Sequence, residues 1–100
     1  MKVVWSETAA RELSEIHDAL TEAASAEVAT GVVERLLTRA DRIASFPEMG
    51  REVTDFQIPS IREVVEGPYR LVYEVAREEN RIEMLAVFHA RRLPPWLREE

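Results

Sequence analysis

The sequence predicts an α+β fold in which a helical hairpin packs on one face of a small, mainly antiparallel sheet, with the element order β-α-α-β-β-β. Apolar residues recur every three to four positions across residues 9–44, as they do on one face of a helix. They alternate with a period of two across residues 61–89, as they do in half-buried strands. Phe46-Pro47 and Gly50 separate these two regions. We expect a single domain over residues 1–100.

The N-terminal half contains signals for one strand and two capped helices. Residues 3–5 form a β-branched and aromatic run that ends at Ser6, a favourable N-cap residue. Ser25 caps the second helix, which ends before Pro47 because proline disfavours helical backbone in the preceding residue. The apolar stripe of the first helix consists of Ala9, Leu13, Ile16 and Leu20. Two helices with a short connection are expected to form an antiparallel hairpin.

The C-terminal half predicts a meander of three strands at 61–65, 69–76 and 81–89. A four-residue turn at 77–80 places two wholly apolar sets together on the face toward the helices. These sets are Tyr69, Leu71, Tyr73 and Val75 in one strand and Ile82, Met84, Ala86 and Phe88 in the next. The other face then carries Arg70, Val72, Glu74, Leu85, Val87 and His89. Arg70 and His89 are therefore expected near each other on the exposed side, whereas a three-residue turn would mix apolar and charged residues on both faces.

Composition and charge exclude several classes of protein. The chain is 46% hydrophobic and has no cysteine, which excludes a disordered chain, a disulfide scaffold and a thiolate metal site. Its formal charge of −6 argues against binding nucleic acid through bulk charge. His17 and His89 are too far apart for any recognised ligand spacing, so we expect neither a metal nor another cofactor. No apolar run approaches the ~20 residues of a membrane span, so we expect a cytoplasmic protein without a membrane partner.

An ordered set of short motifs extends along nearly the whole chain. The motifs are Val4-Trp5-Ser6 leading to Ala9-Ala10 and Leu13, then Phe46-Pro47 with Gly50-Arg51, Arg62, the strand Tyr69-Arg70-Leu71-Val72-Tyr73-Glu74-Val75, and Val87-Phe88-His89 with Arg91-Arg92. This set resembles the RelE/ParE superfamily of toxins from bacterial type II toxin–antitoxin systems. The single pieces are weak signals, whereas their order is fairly specific.

The resemblance implies one of two activities, each held inactive by a cognate antitoxin in a hetero-oligomeric complex. The ParE branch poisons DNA gyrase by binding it, and the RelE branch cleaves messenger RNA on the ribosome without a metal. Such cleavage needs a proton acceptor, a proton donor and cations on the phosphate. The catalytic candidates for that reaction are Arg62, Arg70 and His89. Lys2 is the only lysine, whereas strong ribonucleases of the family carry a lysine cluster, and this difference favours the gyrase-binding branch.

The remaining candidates are binding residues. Guanidinium groups match phosphate and carboxylate geometry, and the candidates for binding the target or a phosphate are Arg51, Arg70, Arg91 and Arg92. The candidates for antitoxin binding, by helix docking or strand addition, are Val72, Leu85, Val87, Trp96 and Leu97. Two of the polar candidates have structural alternatives, namely a salt bridge from Arg70 to Glu63 or Glu74 and a backbone contact for His89. A non-toxic protein-binding module is the third function that the sequence allows.

Overall fold

The computed structural model describes residues 1–97, and its elements follow the predicted order with one short strand added. The helices and strands are β1 (Lys2–Trp5), α1 (Glu7–Ala23), α2 (Ala26–Ser45), β2 (Arg51–Glu52), β3 (Ile61–Glu66), β4 (Tyr69–Ala76) and β5 (Arg81–His89). Single turns of 3₁₀ helix lie at Thr54–Phe56 and Pro95–Leu97. The alternation pattern does not indicate β2, because two residues are too few to show a period.

Both helices begin at the serine predicted to cap them. The hydroxyl oxygen of Ser6 accepts a hydrogen bond from the Ala9 N–H at 3.0 Å, and that of Ser25 accepts one from the Val28 N–H at 3.1 Å. α2 ends immediately before Phe46, which precedes proline and has non-helical backbone angles. The two helices pack against each other and cover one face of the sheet.

The strands form a sheet in the order β1-β5-β4-β3-β2. β1 pairs in parallel with β5, and the other neighbouring strands pair antiparallel, so the predicted α+β class is confirmed. The four-residue turn predicted at 77–80 is also confirmed, with Ala76 paired to Arg81. The residues that face the helices at this end of the β4–β5 hairpin are Tyr73, Val75, Ile82 and Met84, as predicted.

A β-bulge in β5 changes the register of the β4–β5 hairpin. Val72 pairs with Ala86 and Tyr73 pairs with Met84, so Leu85 is an extra residue in β5. Because side chains alternate along a strand, one extra residue moves every later side chain to the opposite face.

The faces of residues 86–89 are consequently the reverse of those predicted. Val87 lies in the core beneath the helices, and His89 lies on the same side, against α1. Ala86 and Phe88 lie on the second face of the sheet, where the guanidinium of Arg70 stacks over the Phe88 ring. The predicted juxtaposition of Arg70 and His89 is therefore wrong, because the bulge places them on opposite faces.

A second, smaller core covers the face of the sheet that the helices leave open. Its buried members are Val53, Ile61, Val72, Ala86 and Phe88, with Phe56, Leu85 and Trp96 packed against them. The chain's own 3₁₀ turns supply Phe56 and Trp96, so the sheet is covered on both sides. The predicted exposed apolar face of Val72, Leu85 and Val87 is therefore wrong, since Val72 and Val87 are each only 1% exposed.

Candidate functional site

A buried glutamate on β3 joins two of the arginines predicted to bind a partner. Glu63 is 4% exposed, and its carboxylate accepts hydrogen bonds at both oxygens. Arg51 donates to Oε1 from Nε at 2.7 Å and from Nη2 at 2.6 Å. Arg70 donates to Oε2 from Nε at 2.9 Å and also from Nη2. One carboxylate therefore holds two guanidiniums, and we call Arg51 and Arg70 the arginine pair.

Strand register places the arginine pair on both sides of Glu63. Arg51 lies directly opposite Glu63 in the β2–β3 pairing. Across the β3–β4 pairing, Arg70 is the diagonal neighbour of Glu63 on the same face. Gly50 permits the close approach of β2, because a Cβ at this position would lie 2.6 Å from both the Glu63 carbonyl oxygen and the Tyr73 hydroxyl.

The two members of the arginine pair differ in accessibility. The Arg51 side chain is 77% exposed, whereas that of Arg70 is 20% exposed. The Arg70 guanidinium carbon lies 5.1 Å from the centroid of the Phe88 ring, so the same group is held by an ion pair and by a cation–π contact. The structural alternative predicted for Arg70, a salt bridge to Glu63, is thereby confirmed, and Arg51 is the more accessible member of the pair.

Arg62 is separate from the arginine pair. Neighbouring side chains on a strand point to opposite faces, so Arg62 lies on the helix-facing side of β3 while Glu63 lies on the second face. Its Nη1 donates to the Gly50 carbonyl oxygen at 2.7 Å, and its Nη2 lies 3.9 Å from the Glu52 carboxylate. Arg62 therefore fixes the backbone at the start of β2.

His89 lies at the end of β5, in a groove between α1 and the sheet. Its Nδ1 accepts a hydrogen bond from the Arg91 N–H at 3.1 Å, which confirms the alternative of a strand-end histidine bonded to backbone. Its ring meets the Tyr69 ring edge-on, with 5.7 Å between the centroids. Glu12 and Arg92 line the same groove. His89 therefore lies in a separate site, apart from Glu63 and the arginine pair.

Tyr73 anchors the segment that leads into β2. Its hydroxyl accepts a hydrogen bond from the Gly50 N–H at 3.0 Å and donates one to the Pro47 carbonyl oxygen at 2.8 Å. Burial raises the pKa of Tyr73, and the Gly50 hydrogen bond and the charge of Arg62 offset that rise only in part. The hydroxyl is therefore protonated at neutral pH and holds residues 47–50, and with them Arg51, beside β3.

Trp96 closes the second core from the C-terminal segment. Its ring centroid lies 4.7 Å from that of Phe56 and 5.9 Å from that of Phe88. Its Nε1 donates a hydrogen bond to Asp55 Oδ2 at 3.0 Å, which ties the C-terminal segment to the loop before β3. The candidates for antitoxin binding that remain accessible are Leu85, Trp96 and Leu97.

The structure offers neither a metal site nor a membrane span within residues 1–97. No three histidine or acidic side chains of this range are grouped so that they could hold a metal ion. None of the helices in the same range has the length and apolar character needed to cross a bilayer.

Comparison with known proteins supplies the family. A model of the "ParE toxin of type II toxin-antitoxin system, parDE" matches residues 3–94. The chain belongs to the ParE toxin family. A curated relative from Sinorhizobium fredii, "Putative toxin Y4kP", is 35% identical to this ParE-family chain over 91 residues, which cover 89% of the chain and 88% of the relative.

The ParE-family fold recurs in solved structures. A chain from "Chromosomal ParDE TA system from P. aeruginosa" superposes with a TM-score of 0.74 at 19% identity, covering 89% of this chain and 95% of that one. A chain of the toxin–antitoxin complex RelBE2 from Mycobacterium tuberculosis gives a TM-score of 0.60 at 22% identity, covering 88% and 95%. At these identities the likeness shows a common fold.

In this ParE-family chain the predicted arginines fall into three groups. The structure brings Arg51 and Arg70 together at Glu63 and places Arg62 on the other face of β3. Residues 91–92 are exposed just after β5, outside the arginine pair. The sequence indicates Glu63 only as a salt-bridge partner of Arg70, and its position between the two arginines was not predicted. One signal in the sequence could have indicated it: Glu63 is an acidic residue in the middle of β3, and it shares a face of the strand with the apolar Ile61.

Proposed function

We propose that this ParE-family chain is a toxin that arrests growth by binding DNA gyrase and that a cognate antitoxin neutralises it. The family match supports the toxin role, and the arrangement of charged side chains supports binding rather than cleavage. The RelE-type activity would require an acid or base and several cations to meet at one scissile phosphate.

The observation that carries the proposal is the separation of Arg62, Arg70 and His89. Arg70 lies on the second face in contact with Glu63, and Arg62 lies on the opposite face of β3, bonded to a carbonyl oxygen. His89 lies at the far end of β5 beneath α1, with a backbone N–H on its Nδ1. General acid–base catalysis depends first on reach to a common reacting atom, and these three groups have no common face.

The proposed target contact centres on the arginine pair. Arg51 is exposed and already oriented by Glu63, so its free N–H groups suit a carboxylate on a protein surface. Residues 91–92, the other predicted target-binding arginines, lie beyond β5 and are exposed as well. A protein target fits a chain of net charge −6 better than a nucleic-acid backbone does.

The antitoxin is proposed to cover the C-terminal edge of the second core. Both structural neighbours come from toxin–antitoxin systems, which supports such a partner. Leu97 is 54% exposed beside the half-buried Trp96, and an apolar antitoxin segment placed there would extend the aromatic cluster that Trp96 already forms. Of the other predicted antitoxin-binding residues, Leu85 is half-buried and remains accessible to a partner. Val72 and Val87 are buried, one in each core, and are not accessible.

Induction of the chain alone, and then together with its antitoxin, tests the proposal in a bacterial host. We expect growth arrest with a DNA damage response and intact transcripts, and relief of both effects when the antitoxin is supplied. Arrest with cleaved transcripts and no damage response would instead indicate the endoribonuclease. Unimpaired growth at verified expression would leave the non-toxic binding module.

A further inference from the structure

Glu63 is the charged residue that the fold buries within residues 1–97. It occupies the second face of β3, where Ile61 and Val72 belong to an apolar core. Burying a carboxylate costs free energy unless charged hydrogen-bond donors compensate it, and an apolar side chain would suit this core without that requirement. Packing alone therefore does not explain a glutamate at this position, and its charge is the property to be explained.

The donors around Glu63 have the arrangement that would suit a phosphate. Arg51 approaches one carboxylate oxygen and Arg70 approaches the other, each through Nε and Nη2. Arginine forks bind phosphate and carboxylate oxygens with the same bidentate geometry. Without an internal acid, two converging guanidiniums beside an exposed edge of the sheet would form an anion site.

We propose that Glu63 is an internal anion that occupies the arginine pair and excludes phosphate from it. This inference rests on the proposed function and deepens it, because it names the residue that directs the site toward protein partners and away from RNA. With Glu63 in place, Arg70 is committed to an ion pair and to the Phe88 ring. Only the outer edge of Arg51 stays available, and a single guanidinium edge is too few cations for tight binding of a polyanion, whose affinity depends on several phosphate contacts.

The charge balance agrees with this role. The arginine pair carries two positive charges and Glu63 removes one of them, so loss of the Glu63 charge doubles the net charge of the cluster. Polyanion affinity rises steeply with each additional cation that contacts a phosphate. Glu52 is the matched control, because it lies on the neighbouring strand, carries the same charge, and contacts Arg62 at 3.9 Å rather than the arginine pair.

The test compares the full-length chain with its Glu63→Gln and Glu52→Gln variants, using inorganic phosphate and a short labelled single-stranded RNA as probes. We expect wild type and Glu52→Gln to bind the RNA equally weakly, and Glu63→Gln to bind it about tenfold more tightly, with phosphate as a competitor. Adding Arg51→Gln to Glu63→Gln should remove the gain. Equal affinities in all variants, or equal gains in the two glutamine variants, would overturn the proposal.

A measurement on the wild type tests the same proposal without the Glu63→Gln variant. The Nε–H signals of Arg51 and Arg70 in nitrogen-15 NMR spectra should stay unchanged as phosphate is added, since the carboxylate already occupies them. A phosphate-dependent shift of both signals would contradict the proposal. Neither assay contains gyrase or ribosomes, so their outcome is independent of the outcome of the gyrase experiment.

Discussion

The guanidinium of Arg70 and the imidazole of His89 lie on opposite faces of the sheet, although their strands are adjacent. Arg70 pairs across the hairpin with Phe88, and His89 pairs with Tyr69, so the two candidates lie at successive paired positions, whose side chains point to opposite faces. A single phosphate cannot contact both groups without rearrangement of the sheet. For this reason we propose target binding, and not RNA cleavage, as the function.

The first prediction concerns His89→Ala. We expect growth inhibition to be unchanged, because His89 contacts neither Glu63 nor the arginine pair. The lost edge-on contact with Tyr69 should cost at most about 1.5 kcal/mol of stability. Growth after induction and thermal unfolding of the purified variant would be measured, with His17→Ala on α1 as the control. Loss of toxicity in a stably folded His89→Ala variant, together with loss of transcript cleavage, would contradict this expectation.

The second prediction contrasts two glycines. Gly50→Ala should destabilise the protein by about 1–3 kcal/mol, because the new Cβ would lie 2.6 Å from the Glu63 carbonyl oxygen and from the Tyr73 hydroxyl. Gly31→Ala should stabilise it by up to about 1 kcal/mol, because Gly31 lies within α2 and the nearest atom, of Arg35, would be 3.8 Å away. Urea unfolding measures both changes. A Gly50→Ala variant as stable as wild type would refute the close approach of β2.

The third prediction is a pH dependence that Tyr73 controls. Burial raises the pKa of Tyr73 above its ordinary value of 10.0, so the unfolded chain loses this proton before the folded protein does. The folded state therefore binds more protons, and the stability that the neutral hydroxyl contributes is complete below about pH 10 and is lost as pH rises through the folded pKa.

Tyr73→Phe tests this pH dependence directly. At neutral pH the variant should lose about 1–3 kcal/mol, because the buried Gly50 N–H and the Pro47 carbonyl lose their partner. Between pH 8 and about pH 11, its Tm should fall less steeply than that of wild type. Parallel Tm profiles for the two proteins would show that Tyr73 does not control the alkaline transition.

The fourth prediction concerns the C-terminal segment. Trp96→Ala should cost about 1–3 kcal/mol, because Trp96 packs between Phe56 and Phe88 and its indole N–H binds Asp55. Leu97→Ala, one residue further along, should change stability by less than about 0.5 kcal/mol because its side chain is exposed. Chemical denaturation followed by circular dichroism compares the two variants. Equal stabilities would mean that the second core does not depend on Trp96.

Much of the fold follows from local sequence signals. The serine caps at Ser6 and Ser25, the helix stop before Pro47 and the four-residue turn at 77–80 each depend on chemistry within a few residues. Together with the apolar periodicity, these features predict the order of the elements. They also predict which side chains face the helices in the part of the β4–β5 hairpin next to its turn.

The β-bulge at Leu85 could not be predicted from such local signals. Leu85 is neither glycine nor proline, and residues 85–88 are all apolar, so no polar side chain in this run marks the change of face. Both faces of the sheet are buried, so an apolar side chain at Val87 or Phe88 fits either side. The register is therefore decided by tertiary packing, and the sequence pattern carries no signal for it.

The sequence predicts the arginines of the candidate site but not their convergence on Glu63, which also depends on long-range packing. The motif positions indicate Arg51 and Arg70, and the sequence allows the ion pair of Arg70 with Glu63 that the structure contains. The convergence of both arginines on one carboxylate required β2, a strand of two residues whose position depends on Gly50 and Tyr73. Such a long-range arrangement has no local signature.

The most direct test of the account is a DNA supercoiling assay with purified gyrase and the purified full-length chain. We predict dose-dependent loss of supercoiling or trapped cleavage, reduced by Arg51→Gln but not by Arg77→Gln, an exposed arginine paired with Glu48 on another part of the surface. Antitoxin should restore supercoiling. Full gyrase activity at a large molar excess of folded toxin would contradict the account.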